Sequence, residues 1–113
     1  MKTIIAGSRT ITDFSLVEKA VKDSGFEVTE VVCGEAKGAD SLGKQWAKRN
    51  QIPVKSFPAQ WEKFGKSAGY KRNKEMAEYG EALILLWDGV SKGSANMKKE
   101  AESNRLKVFV FYS

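Results

Sequence analysis

The sequence contains no histidine and a single cysteine, Cys33. Without imidazole, neither a Ser-His-Asp nor a Cys-His catalytic arrangement can be assembled, and a zinc site of the usual kind has too few ligands. No metal or other cofactor is therefore expected. One cysteine also excludes an internal disulfide and fits a reducing cytoplasm. Long apolar runs are missing as well. The longest, such as Ala82 to Trp87 and Val108 to Tyr112, are far too short to cross a bilayer, so no membrane partner is expected. Lys2 leads directly into Thr3-Ile4-Ile5-Ala6-Gly7, too brief for the apolar region of a signal peptide and without its cleavage pattern. It reads as a first strand. Two phosphate-binding signatures are absent too: no glycine-lysine-serine/threonine follows at Walker A spacing, and there is no GxGxxG. ATPase and ordinary NAD-dehydrogenase chemistry are accordingly disfavoured.

What is present suits one domain, residues 1–113, with 42% hydrophobic residues to build its core. No repeat, linker or low-complexity tract interrupts it. The net charge of +5 is unevenly distributed. Between residues 44 and 74 nine lysines and arginines face one acid, Glu62, so the rest of the chain is net acidic. A basic middle third suits phosphates on a small ligand or on nucleic acid; it equally suits a pair of solvated helix faces.

Two kinds of segment alternate. Short β-rich runs occur at Thr3 to Ala6, Val28 to Cys33, Val54 to Phe57, Ala82 to Trp87 and Lys107 to Tyr112. Between them, Phe14, Val17 and Val21 share a helical face, with Thr12 or Asp13 as N-cap and Gly25 as the stop. Leu42, Trp46 and Ala47 mark a second helix that ends before Pro53. Tyr70, Arg72, Met76 and Tyr79 mark a third, closed by Gly80, and Met97 and Ala101 a fourth. Strands alternating with helices imply an α/β fold. The expectation is a small Rossmann-like domain with a five-stranded parallel sheet, order 3-2-1-4-5, flanked by four helices.

Ligands of such sheets bind beyond the carboxyl ends of the strands, where the winding reverses. Three glycine-bearing turns stand there: Gly7-Ser8-Arg9, then Gly34-Glu35-Ala36-Lys37-Gly38-Ala39-Asp40, then the segment from Asp88 to Asn96 with Gly93-Ser94. Glycine lets backbone N–H groups approach an anion, although any strand-to-helix turn can need glycine for its geometry alone. Strands one and four flank the reversal, which brings Ser8, Arg9, Gly93 and Ser94 together. Arg72 and Asn73, near the start of the third helix, add a guanidinium with the fork geometry to grip a phosphate or a ribose. The aromatic connection before that helix holds Trp61 and Phe64, which either stack on a base or pack against the sheet edge.

In order along the chain, Ile4-Ile5-Ala6-Gly7-Ser8-Arg9, Val32-Cys33-Gly34-Glu35-Ala36-Lys37-Gly38-Ala39-Asp40 and Phe57-Pro58-Ala59-Gln60-Trp61 resemble the YspA/YpsA-related branch of the SLOG superfamily. Gly65 to Gly69, Arg72-Asn73-Lys74-Glu75-Met76 and Gly93-Ser94-Ala95-Asn96-Met97 continue the match to about residue 97. This superfamily is Rossmann-like and includes the DNA-processing Smf/DprA proteins and the Lonely-guy phosphoribohydrolases. The resemblance implies binding of nucleotides or ADP-ribose-type ligands, by sensors or effectors in conflict between bacteria and mobile elements. Small members are similar to proteins carried by phages, where capture of a signalling nucleotide in the host cytoplasm is the corresponding role.

On that basis the candidate ligand-binding residues are Gly7, Ser8, Arg9, Gly34, Glu35, Lys37, Gly38, Asp40, Arg72, Asn73, Gly93, Ser94 and Asn96. Arg9 or Arg72 would hold phosphates, Asp40 would accept from ribose hydroxyls, and Asn96 would fix a polar edge. Arg72 and Met76 resemble the arginine–methionine step of Lonely-guy enzymes, but their catalytic glutamate corresponds to Met97, which cannot stabilise an oxocarbenium-like centre or activate water. A binding function is expected, with phosphoribohydrolase activity or DprA-like single-stranded DNA binding as alternatives. The expected partner is thus a nucleotide-type small molecule, with nucleic acid ranked below it. Val108 to Tyr112 ends the chain as an apolar strand. Either the fourth helix covers it or a second copy pairs with it as a homodimer or higher oligomer.

Overall fold

In a computed structural model describing residues 1–34 and 38–112, the elements run β1 (Lys2–Gly7), α1 (Phe14–Ser24), β2 (Glu30–Cys33), α2 (Ala39–Arg49) and β3 (Val54–Ser56). They continue with α3 (Trp61–Phe64), a 3-10 turn at Gly65–Ser67, α4 (Ala68–Tyr79), β4 (Ala82–Trp87), α5 (Lys92–Ser103) and β5 (Lys107–Tyr112). The five strands form one sheet in the order β3-β2-β1-β4-β5, and every neighbouring pair is parallel. This is the expected α/β architecture. The four expected helices are α1, α2, α4 and α5; the single turn α3 is an addition.

Side chains alternate across each strand, so two interleaved sets of apolar residues build two cores. Ile5, Val31, Ile84 and Leu86 point to one face, where they meet Val17 and Ala20 of α1 and Leu42 and Ala47 of α2. Ile4, Ala6, Val32, Leu83 and Leu85 point to the other, against Met76 and Ala77 of α4 and Met97 and Ala101 of α5. Because both faces are covered, β4 reads as an unbroken apolar run, and its first five residues are buried.

The helix ends follow their sequence signals. Asp13 caps α1 by accepting from the Ser15 N–H at 2.9 Å, and Gly25 closes it at φ 70°, in the left-handed region. Ser91 caps α5, its Oγ accepting from the Ser94 N–H. One boundary moves. β2 begins at Glu30, opposite Lys2, rather than at Val28. Val28 is a half-buried apolar lead-in that packs on the core without joining the ladder. β5 lies at the sheet edge, with its middle four residues half-buried and Tyr112 exposed but stacked on Trp87 at 6.0 Å between centroids. Among the described residues no helix is long and apolar enough to cross a membrane.

Candidate functional site

The two central strands run parallel and stay paired to Gly7 and Leu86, but the connections beyond them diverge, from β1 toward α1 and from β4 toward α5. That divergence opens a cleft of about 230 Å³. Its walls come from the end of β1 and the turn after it (Ala6, Gly7, Arg9), the start of α2 (Asp40), α3, the 3-10 turn and α4 (Trp61, Lys66, Gly69, Tyr70, Arg72, Asn73) and the start of α5 (Ser91, Gly93, Ser94). The side chains of Met76 and Met97, both buried, form its apolar floor. Among the described residues three cations line the cleft, Arg9, Lys66 and Arg72. Among the described residues Asp40 is the lining carboxylate.

Hydrogen bonds from backbone N–H groups hold the rim in place. The Ser8 N–H donates to the Leu86 carbonyl at 2.9 Å, and Ser8 Oγ accepts from the Asp88 N–H at 3.1 Å. These bonds fix the β1 turn to the β4 turn. The Ala39 N–H donates to the Ser8 carbonyl at 3.3 Å, which ties in the start of α2. Gly38 makes this last contact feasible. It has φ +79°, and a Cβ there would come within 2.6 Å of the Arg9 Cα. The Asp88 carboxylate accepts from the Val90 and Ser91 N–H groups, both at 2.9 Å, and those two bonds hold its pKa below the ordinary 3.8.

A second network joins α4 to α5 and to β2. Asn73 Nδ2 donates to Asn96 Oδ1 at 3.0 Å and to the Gly93 carbonyl at 3.3 Å, while Asn73 Oδ1 accepts from Arg72 Nε at 3.0 Å. Arg72 Nη1 donates to the Gly34 carbonyl. Gly34 lacks the side chain that would collide with this guanidinium. Buried amides persist when their hydrogen-bonding capacity is met, and among the described residues no buried side-chain N or O lacks a partner.

The structure therefore gathers Gly7, Arg9, Asp40, Arg72, Asn73, Gly93 and Ser94 around one cleft. Ser8, Gly34, Gly38 and Asn96 stand behind it and support its walls through the bonds just described. In place of a ligand's polar edge, Asn96 Oδ1 meets the Asn73 amide. Glu35 and Lys37 lie outside the described residues. The glycines separate into two kinds. Those at 7, 34 and 38 are required by backbone or guanidinium approach, whereas a Cβ at Gly93 would meet nothing within 4 Å. Tyr70, Ser91 and the methionine floor also line the cleft. Ser91 lies in the turn after β4 as the N-cap of α5, whereas the reading of the turns missed Tyr70 and the methionines because they lie on helix faces and not at strand ends. An i, i+3 spacing from Asn73 to Tyr70 and Met76 was the available signal.

Fold and cleft together define a Rossmann-like parallel α/β protein whose cavity lies where the winding of the sheet reverses. A family model, that of the YspA, cpYpsA-related SLOG family, matches residues 1–64. The Gene 61 protein of Mycobacterium phage D29 is 32% identical over 120 residues, which cover 97% of this chain and 95% of that protein. The chain belongs to the YspA, cpYpsA-related SLOG family. In fold it is similar to the X-ray structure of DNA processing protein A (DprA) from Streptococcus pneumoniae, with a TM-score of 0.75 and 18% identity. That likeness takes in 96% of this chain but only 49% of DprA, so the chain spans about half of its length.

Proposed function

We propose that the cleft binds a nucleotide-derived small molecule, of ADP-ribose type or a cyclic nucleotide signal. In this reading the protein senses or sequesters that molecule in conflict between bacteria and phages, in the host cytoplasm. The observation that carries the reading is the convergence of Arg9, Lys66, Arg72 and the capped start of α5 on one cleft. Cations and helix N–H groups favour a phosphate. Gly93, which no packing contact demands, keeps the last of these approachable. Arg72 contributes through its position and charge, since Nε and Nη1 are already engaged. The phage protein among the relatives supports the biological setting.

Mass spectrometry of small molecules that co-purify with the protein is the direct test. A thermal-shift panel of ADP-ribose, cyclic ADP-ribose isomers, NAD and cyclic dinucleotides complements it. A ligand at a hundredfold excess over its Kd adds about 2.7 kcal/mol of stability, several degrees in midpoint. A flat panel with nothing co-purifying would remove the reading.

Phosphoribohydrolase activity has less support, because the position expected to hold a catalytic glutamate is the buried Met97 of the floor. Single-stranded DNA binding draws support from the basic middle third and from the likeness to DprA. Against an extended track, the charges of that third are divided. Lys48, Arg49 and Lys55 sit on α2 and β3, away from the cleft lining. Oligonucleotide affinity that falls steeply with salt would favour DNA. For self-association, the supporting observation is the half-buried apolar strand β5 at the sheet edge. Light scattering that returns a monomer mass would dismiss it.

A further inference from the structure

Large aromatic side chains usually surrender most of their surface on folding, because each carries 150–250 Å² to bury. Trp61 and Tyr70 do not. They remain 52% and 49% exposed, and both line the same cleft. Their placement has local causes. Trp61 opens α3, a single helical turn whose closing bonds come from Lys63 and Phe64 N–H groups to the Gln60 carbonyl. Its indole edge rests against Gly69 of α4, where an added Cβ would lie 3.5 Å from the ring. One and two turns later on α4, Asn73 and Met76 are buried, while Tyr70, nearer the helix start, stays on the outer lip.

We infer that Trp61 and Tyr70 form a stacking subsite for the flat ring of the ligand, with Lys66 and Arg9 facing its anionic end. This rests on the nucleotide reading above and narrows it to molecules that carry both an aromatic base and a phosphate. The methionine floor is a poorer ring site. Met76 and Met97 are each 1% exposed and offer little area, whereas each aromatic lip residue still has about half of its surface uncovered. A base stacked there removes apolar surface on both partners from water. Any base has a π-face, so the subsite selects for a ring and not for its hydrogen-bonding edge.

The test uses the full chain and four probes in calorimetry: AMP, ADP-ribose, adenosine and ribose 5-phosphate. AMP is expected to bind at least about tenfold more tightly than ribose 5-phosphate. Trp61→Ala and Tyr70→Ala should each erode that preference and leave ribose 5-phosphate affinity unchanged, while Trp61→Phe retains most of it. AMP should also quench tryptophan fluorescence in the wild type and much less in Trp61→Phe. Equal binding of AMP and ribose 5-phosphate would overturn the stacking subsite and leave the nucleotide reading standing. So would an equal loss for both in Trp61→Ala. If none of the four probes binds, the stacking subsite is overturned, and the nucleotide reading stands or falls by its own panel.

Discussion

The two faces of the sheet are built from the same strands but finished differently. Under α1 and α2 the packing is close. At Gly43 the helix lies so close to β1 that a Cβ would come within 2.6 Å of Ile5 Cγ2. Under α4 and α5, beyond Met76 and Met97, the helices are joined by the amide of Asn73 instead of by further aliphatic side chains. A polar brace can hold two helices at a fixed separation without filling the space between them, which an aliphatic contact cannot do. The closed face supplies rigidity, and the braced face supplies room.

Several substitutions separate these roles. The largest effect is expected for Asn73→Leu, which leaves the Gly93 carbonyl, Asn96 Oδ1 and Arg72 Nε without their partner. A loss of about 3 kcal/mol in denaturant unfolding is expected, together with loss of ligand-induced stabilisation. On the closed face, Gly43→Val should cost about 2 kcal/mol through overpacking against Ile5, with ligand affinity preserved in a stability-matched titration. If binding fell as well, the two faces would not be independent. Arg9→Ala is the converse. This exposed side chain should change unfolding by less than about 0.5 kcal/mol yet weaken ADP-ribose binding roughly tenfold in calorimetry.

The smallest effect concerns pH. Asp88 is held below its ordinary 3.8 by the Val90 and Ser91 N–H groups, so its contribution is fully present above 3.8 and is lost as pH falls through the lowered native value. The protection of the Val90 amide, taken as its exchange relative to the unstructured rate at the same pH, should therefore fall only in strong acid, well below neutrality. In Asp88→Asn, whose side-chain oxygen still accepts, protection should lose that acid dependence.

Much of this architecture was legible in the sequence because burial on both faces leaves an unmistakable pattern. Ala82 to Trp87 is apolar throughout, and the glycine turns mark the strand ends. The strand order follows from right-handed crossovers. Where the signal was weak, the reason is local. Trp61–Phe64 is a single turn, too short for helical periodicity to register. Val28 is apolar and packs, yet pairs with no strand. The candidate site divides in the same way. Arg9, Asp40 and Gly93 follow strands directly, so topology placed them at the rim. The Asn73–Asn96 contact joins residues 23 apart on two helices, and nothing in either segment alone announces it. For Gly7, Gly34 and Gly38, sequence could not separate anion binding from close approach, because both demand the same missing side chain.

The position of β1 has a consequence for how the chain is made. Although it precedes the other four strands in the chain, it sits at the centre of the sheet, between β2 and β4. The segment through β3 can assemble one flank as it leaves the ribosome, but the other edge of β1 stays unpaired until Ala82–Trp87 has been synthesised. The cleft lies on that seam. It exists only after the later half has docked on the earlier one, so any molecule held there bridges the two halves and favours the completed chain over a half-assembled one.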